Sequence, residues 1–192
     1  MCVKYLISGV SDLAFVCFNP TSFVHYAKHL EILEVAIDFY RKGKAMDKVT
    51  VKSAEETMAF AERVAKQLDK KVVLAFFGGL GMGKTTFTKG LAKGLGVTDE
   101  VSSPTFALVH EYRGKKTLYH FDMYRVESWD DLYQTGFFDY YEQGGILAVE
   151  WSENIENALP ENTIRVTFER GKDENERIIT VEGQGAYENF SC

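Results

Sequence analysis

Hydrophobic and polar positions follow an orderly pattern only after the first 45 residues. From residue 46 onward this pattern predicts helices and strands in turn. Ser53 and Glu56 form the S-x-x-E sequence of a helix capping box, and apolar residues recur at helical spacing behind them. The continuous apolar run 71–77 has the length of a strand that is buried on both faces of a sheet. A glycine-rich turn follows, and then a second predicted helix, 84–95. This alternation is typical of an α/β protein.

The second half of the chain adds the remaining strands. Strands are predicted at 107–112, 117–124, 146–149, 164–168 and 177–181. Residues 130–141 are predicted to be helical in parts, because Gly136 interrupts the helical pattern. The last two strands flank a polar loop, which predicts an antiparallel hairpin that closes the fold at its carboxyl end. The expected fold is a three-layer α/β/α structure with a central mixed sheet.

Residues 1–45 show no clean period, and only 30–40 is compatible with a helix. We expect them to be an extension outside a single domain formed by residues 46–192. Two interpretations are open: upstream sequence translated in frame before a start at Met46, or a genuine extension such as a helix packed on the sheet. The run 41–44 (RKGK) allows the first interpretation, because codons for Arg-Lys-Gly can spell a purine-rich string like a ribosome-binding site.

Composition narrows the class of protein. A chain of 192 residues, 45% of them hydrophobic and 26% charged, suits one soluble globular domain. With 28 acidic and 22 basic residues, the net charge is -6, which argues against binding to DNA or autonomous binding to RNA. Cys2, Cys17 and Cys192 fit neither a disulfide framework nor a zinc site. No apolar run approaches the roughly 20 residues of a membrane span, so we expect a cytoplasmic protein without a membrane partner.

The strongest motif is GGLGMGKT at 78–85, which satisfies G-x-x-x-x-G-K-[ST] between a buried strand and a helix. In such a P-loop the main-chain N–H groups point at phosphate oxygens, and the helix adds its positive amino-terminal end. Lys84 is placed to reach the β- and γ-phosphates, and the Thr85 hydroxyl to ligate Mg²⁺. The residues predicted to hold ATP are Gly79, Leu80, Gly81, Met82, Gly83, Lys84, Thr85 and Thr86. We therefore expect a fold like that of the P-loop NTPases.

A P-loop also needs a carboxylate at the end of a neighbouring strand. Asp122 and Glu150 are the candidates, and Glu150 follows the apolar run of a Walker B strand. His120 lies on the same face of its strand as Asp122, but two ligands alone do not make a transition-metal site, so an ordinary hydrogen-bonding role is favoured. The loop 102–106 (SSPTF) is either a sensor of the γ-phosphate or a plain turn fixed by its proline.

Other classes of nucleotide-binding protein fit the sequence less well. A small-molecule kinase, the main alternative, usually has an arginine-rich lid, and no such insertion follows the P-loop helix. A GTPase would need N-K-x-D and D-x-x-G sequences, and neither occurs. Arg125 is the one arginine within the motifs, and strand alternation is expected to point it away from Asp122. Hydrolysis is therefore expected to be slow without a partner.

The motifs together resemble the TsaE family, bacterial ATPases required for threonylcarbamoyladenosine formation on tRNA. The resemblance covers about residues 47–182 and rests on four stretches: 78–96, 102–112, 119–125 (YHFDMYR) and 148–153 (AVEWSE). It implies an ATP-hydrolysing subunit that acts with TsaB and TsaD, where TsaD carries out the transfer and tRNA is contacted only through the complex.

The resemblance also implies roles for individual residues. Lys84 would contact phosphate, while Thr85 and Asp122 would hold magnesium. Glu150 would serve hydrolysis and is a further candidate metal ligand, with Trp151 shaping the site beside it. Thr105 would lie in a switch-like loop.

The chain departs from the family at one position of the motif: residue 79 is glycine where the family usually has an acid. Because the phosphate cradle is formed by main-chain groups, ATP binding is expected to survive this difference.

Overall fold

The computed structural model describes residues 3–4, 15–16, 45–68 and 71–183. The chain divides into two compact units, residues 1–40 and 41–192. In the first unit, strand β1 (Val3–Lys4) pairs antiparallel with β2 (Phe15–Val16). The helix-compatible stretch 30–40 lies outside the described residues. That residues 1–45 form an extension separate from the domain formed by residues 46–192 stays a prediction.

A mixed seven-stranded sheet forms the centre of the second unit. Its strands are β3 (Ala45–Val51), β4 (Val72–Phe77), β5 (Val109–Tyr112), β6 (Leu118–Asp122), β7 (Ile146–Glu150), β8 (Ile164–Arg170) and β9 (Arg177–Gly183). The spatial order is β3-β9-β8-β4-β7-β6-β5. The inner strands β8, β4, β7 and β6 run parallel, whereas β3, β9 and β5 pair antiparallel to their neighbours. The carboxyl ends of β4, β6 and β7 therefore meet at one edge of the sheet.

Helices cover both faces of this sheet. They are α1 (Ala54–Gln67), α2 (Lys84–Gly94), α3 (Trp129–Gln134), α4 (Phe137–Gln143) and a 3₁₀ segment (Ser152–Ala158). The predicted amino-terminal cap of α1 is present, since the Glu56 N–H donates to the Ser53 hydroxyl over 3.2 Å. The Glu56 carboxylate accepts a hydrogen bond from the main-chain N–H of Lys52 rather than that of Ser53, so only the Ser53 half of the predicted capping box forms.

The alternation of buried residues along β4 and β7 divides the core between the two faces. Leu74 and Ala148 belong to the cluster that includes the apolar residues of α1 and α2. Val73 and Leu147 belong to the cluster that includes those of α3, α4 and the 3₁₀ segment. The predicted three-layer α/β/α architecture is confirmed, as is the closing hairpin, which β8 and β9 form.

Several boundaries differ from the sequence prediction. Residues 130–141 form two helices, α3 and α4, because Gly136 has a left-handed backbone (φ 72°) at the amino-terminal cap of α4. Strand β6 ends at Asp122, so the alternation used to orient Arg125 does not extend to that residue. The 3₁₀ segment after β7 was not predicted. None of the helices formed by residues 45–68 and 71–183 has the length and apolar character needed to cross a bilayer.

Candidate nucleotide site

The glycine-rich loop between β4 and α2 has a backbone that requires glycine at particular positions. Gly81 and Gly83 have φ angles of 73° and 99°, in the left-handed region. Gly78 has φ 139°, and a Cβ atom there would lie 2.7 Å from the main-chain oxygen of Phe168 on β8. By contrast, apart from Gly79 itself and its two chain neighbours, no residue of the described chain has an atom within 4 Å of a Cβ built on Gly79. The loop is therefore fixed against β8 at its start and open above its middle.

Lys84 lies at the start of α2 with its ammonium group turned back over this loop. Its Nζ donates to the main-chain oxygens of Gly78 and Gly79, over 2.5 and 2.9 Å. The same Nζ lies 4.0 Å from the centre of the Trp151 ring, a cation–π contact. Burial lowers the pKa of the Lys84 ammonium, and nearby carboxylates, Glu150 first among them, oppose that shift. The group is thus a buried cation held at the mouth of the loop by carbonyls and an aromatic ring.

Glu150, the last residue of β7, joins the loop to the centre of the sheet. Its Oε1 accepts a hydrogen bond from the Thr85 hydroxyl over 2.7 Å. The imidazole Nε2 of His120 lies 2.8 Å from the same oxygen. The carboxylate is 5% exposed, so these contacts replace most of its hydration. The structure thus brings together two of the predicted metal ligands, Thr85 and Glu150.

Asp122, the last residue of β6, binds the loop that precedes β5. It pairs in register with Glu150 on β7. Its Oδ2 accepts hydrogen bonds from Thr105 (2.9 Å) and Ser103 (3.3 Å), and its Oδ1 accepts one from the Tyr124 N–H. The hydroxyls of Ser103 and Thr105 are also 2.8 Å apart. The loop is therefore hydrogen-bonded to the carboxylate that is predicted to hold magnesium. Its conformation is linked to what that carboxylate binds.

Trp151 follows Glu150 with a left-handed backbone (φ 58°), which is uncommon for a bulky residue. This turn ends β7 and begins the 3₁₀ segment. It also carries the indole ring between the Lys84 ammonium and the Tyr124 ring, whose centre is 4.9 Å away. Strained backbone of this kind occurs often at functional sites.

The other predicted ATP-binding positions lie along the loop and the first turn of α2. Leu80 is 85% exposed at the tip of the loop, while Met82 is buried beneath it. Thr86 is partly buried in the first turn of α2. Around the open centre of the loop, these residues therefore offer main-chain groups rather than a continuous set of side chains.

A cleft of about 350 Å³ opens beside the second half of the loop, and sequence reasoning did not find it. It is lined by Lys52, Ser53, Ala54, Thr57, Gly81, Met82, Gly83, Thr86, Asn175 and Arg177. The guanidinium of Arg177 donates to the main-chain oxygens of Glu174 and Glu176 in the β8–β9 loop. The local sequence pattern does not predict this cleft, because it forms where the start of α1 and the β8–β9 loop meet the phosphate loop.

The donor atoms at the sheet edge suit Mg²⁺ rather than a transition metal. The Thr85 hydroxyl and the Asp122 and Glu150 carboxylates offer oxygen, which Mg²⁺ prefers. No group of three or more His, Cys, Asp or Glu side chains that could hold a metal occurs within the described part of the chain. A P-loop magnesium ion needs no such group, because substrate phosphates and water complete its shell.

Comparisons with known proteins identify relatives of this chain. The family model described as threonylcarbamoyl adenosine biosynthesis protein TsaE matches residues 51–179. A protein of that name from Treponema pallidum is 39% identical over 68% of this chain and 96% of its own length. One from Bacillus subtilis is 44% identical over 67% of this chain and 82% of its own.

A solved structure is also similar. The crystal structure of Bacillus subtilis YdiB superposes with a TM-score of 0.63 and 38% identity, covering 74% of this chain and 88% of that one. The fold is thus that of the P-loop NTPases, as the sequence predicted. The chain belongs to the TsaE family of threonylcarbamoyladenosine biosynthesis proteins.

Proposed function

We propose that this chain hydrolyses ATP as a subunit of the bacterial assembly that forms threonylcarbamoyladenosine on tRNA. The observation that carries the proposal is the convergence of Lys84, Thr85 and Glu150 at one edge of the sheet, with Thr85 bonded to Glu150 over 2.7 Å. The similar proteins from Treponema pallidum and Bacillus subtilis are both named tRNA threonylcarbamoyladenosine biosynthesis proteins.

The loop and Lys84 provide the binding energy for the phosphates. An ammonium group held by carbonyl oxygens exchanges them for phosphate oxygens, which carry more negative charge. Main-chain N–H groups of the loop and the amino-terminal end of α2 add partial positive charge. The adjacent cleft, of about 350 Å³ and lined by both polar and apolar side chains, is where we place the nucleoside.

Bound Mg²⁺·ATP would supply the phosphoryl group and the charge that polarises it. Thr85, Asp122 and Glu150 are the residues placed to hold the metal. A hydroxyl can donate its hydrogen to Glu150 while its oxygen serves the metal, so the Thr85–Glu150 bond is compatible with this role. The Glu150 carboxylate would orient the attacking water, or a water bound to the metal, and accept its proton.

Hydrolysis is proposed to be slow until a partner acts. Fast phosphoryl transfer usually requires a second cation against the γ-phosphate. Arg125 is engaged elsewhere, with its guanidinium 5.1 Å from the centre of the Phe106 ring. A partner either supplies the missing charge or reorders the loop that Asp122 holds through Thr105. We assign the partner role to TsaB and TsaD, in the cytoplasm, with tRNA reached only through that complex.

The experiment measures ATP turnover by the chain alone, then with purified TsaB and TsaD, and then with tRNA added. We expect slow turnover alone, a partner-dependent change, and no tight tRNA binding by the lone chain at physiological salt, because its net charge is -6. Tight, salt-resistant tRNA binding by the lone chain, or a rate indifferent to both partners, would return the small-molecule kinase to consideration.

A further inference from the structure

His120 is a buried polar side chain that the proposed hydrolysis does not yet use. It lies in the middle of β6 and its side chain is 0% exposed. Its Nε2 is 2.8 Å from Oε1 of Glu150, on the neighbouring strand β7. Because His120 is buried and contacts Glu150 rather than the phosphate loop, any effect that it has on the reaction passes through Glu150.

The hydrogen bond has a definite direction. An ionised carboxylate only accepts, so Nε2 carries the hydrogen and donates it to Glu150. In the neutral imidazole the other ring nitrogen, Nδ1, is an acceptor, and it has no hydrogen-bond partner among the described residues. A buried acceptor without a donor costs free energy. An apolar side chain of similar size would avoid that cost but would also lose the hydrogen bond to Glu150, so the two effects on stability partly offset each other.

The two donors to Glu150 differ in how they respond to a ligand. Thr85 is one of the residues placed at the metal, so its hydroxyl geometry depends on what is bound there. His120 is enclosed within the sheet, so we expect its bond to Oε1 to be kept when nucleotide binds. Neither bond uses Oε2 of Glu150, which leaves that oxygen for the metal or the attacking water.

We propose that His120 is a positioning residue for hydrolysis: it fixes the Glu150 carboxylate through Oε1 and so aims Oε2 at the reacting groups. The proposal rests on the proposed function, since it assigns a role within the same ATPase site. Removing a partner that orients a site carboxylate typically lowers activity by about 10- to 100-fold.

The test compares His120→Leu with His120→Gln. Leucine fills similar space and removes the donor, whereas glutamine keeps an N–H at about the same reach from the backbone. We expect His120→Leu to lower kcat for ATP about tenfold or more, with KM within about threefold. Glutamine should restore most of the lost rate. The thermal midpoint of His120→Leu should stay within about 4 °C of the wild type.

The outcomes separate this inference from the proposed function. If the wild type shows no ATP turnover with or without TsaB and TsaD, the proposed function fails. If the wild type turns over and His120→Leu retains its kcat, only the positioning role is refuted. The role is also refuted if kcat, KM and the thermal midpoint all change together in both variants, because that pattern indicates a structural effect.

Discussion

Glu150→Gln is the substitution that probes the reaction with the least change of shape. It keeps the side-chain length and replaces one carboxylate oxygen by an NH₂ group. Oε1 of Glu150 accepts hydrogen bonds from Thr85 and His120, over 2.7 and 2.8 Å. An amide nitrogen at that position would face two donors, so the new side chain must place its oxygen there. The amide nitrogen then occupies the position of Oε2.

The expected loss of stability is small. Hydrogen bonds to a charged acceptor contribute about 1.5–3 kcal/mol and those to a neutral one about 0.5–1.5 kcal/mol, so two weakened bonds cost about 2 kcal/mol. Removing a buried charge that is 5% exposed offsets part of this cost. The free energy of unfolding should therefore change by less than about 2 kcal/mol.

The expected loss of rate is large, because an amide neither attracts the metal as a carboxylate does nor accepts a proton from water. We expect kcat about 10²- to 10³-fold lower, which corresponds to about 2.7–4 kcal/mol of transition-state stabilisation, while nucleotide still binds. Steady-state ATP turnover measures kcat, and calorimetric titration with ADP measures nucleotide affinity. Urea unfolding measures the free energy of unfolding. Glu161→Gln, an exposed position just before the amino-terminal end of β8, is the matched control. Turnover within threefold of the wild type in Glu150→Gln would remove this carboxylate from the reaction.

Other substitutions test the remaining parts of the site. Asp122→Asn should weaken the Mg²⁺-dependent part of ATP binding about tenfold and leave metal-free binding unchanged, in titrations with and without Mg²⁺; equal Mg²⁺ dependence in both proteins would contradict its role. Gly78→Ala should destabilise the chain by about 2 kcal/mol or more, because φ is 139° and the added Cβ meets the Phe168 oxygen at 2.7 Å. Gly79→Ala, its matched control, should change the urea midpoint little, and equal midpoints for the two variants would refute the steric reason. Gly79→Glu, which restores the acid usual in the family, should keep the fold and bind ATP within threefold of the wild type.

The sequence predicted the parts of the site that depend on neighbouring residues. The apolar strand, the glycine loop and Lys84 lie within a few positions of one another, so their pattern fixes strand β4, the turn and helix α2. The Ser53 cap is likewise local, and the structure contains it. Runs of buried residues also located β7 correctly, because a strand covered on both faces needs apolar side chains throughout.

What the sequence did not predict depends on contacts between distant segments. The cleft lined by Lys52 and Arg177 forms only when the first helix and the last hairpin meet the phosphate loop. The hydrogen-bond partners of the two carboxylates also depend on the tertiary structure. The Thr85 hydroxyl donates to Glu150, whereas the Thr105 hydroxyl donates to Asp122. Strand alternation did not apply to Arg125, because β6 ends at Asp122.

The most direct test of the central claim is ATP turnover by Lys84→Ala, measured alone and with TsaB and TsaD. The Lys84 ammonium is the buried cation over the loop, bonded to Gly78 and Gly79. Lys89→Ala, an exposed lysine on the same helix, is the matched control. We predict background turnover for Lys84→Ala under both conditions, and wild-type turnover with the usual partner response for Lys89→Ala. Wild-type turnover by Lys84→Ala would show that hydrolysis occurs elsewhere and would contradict the assignment of this site.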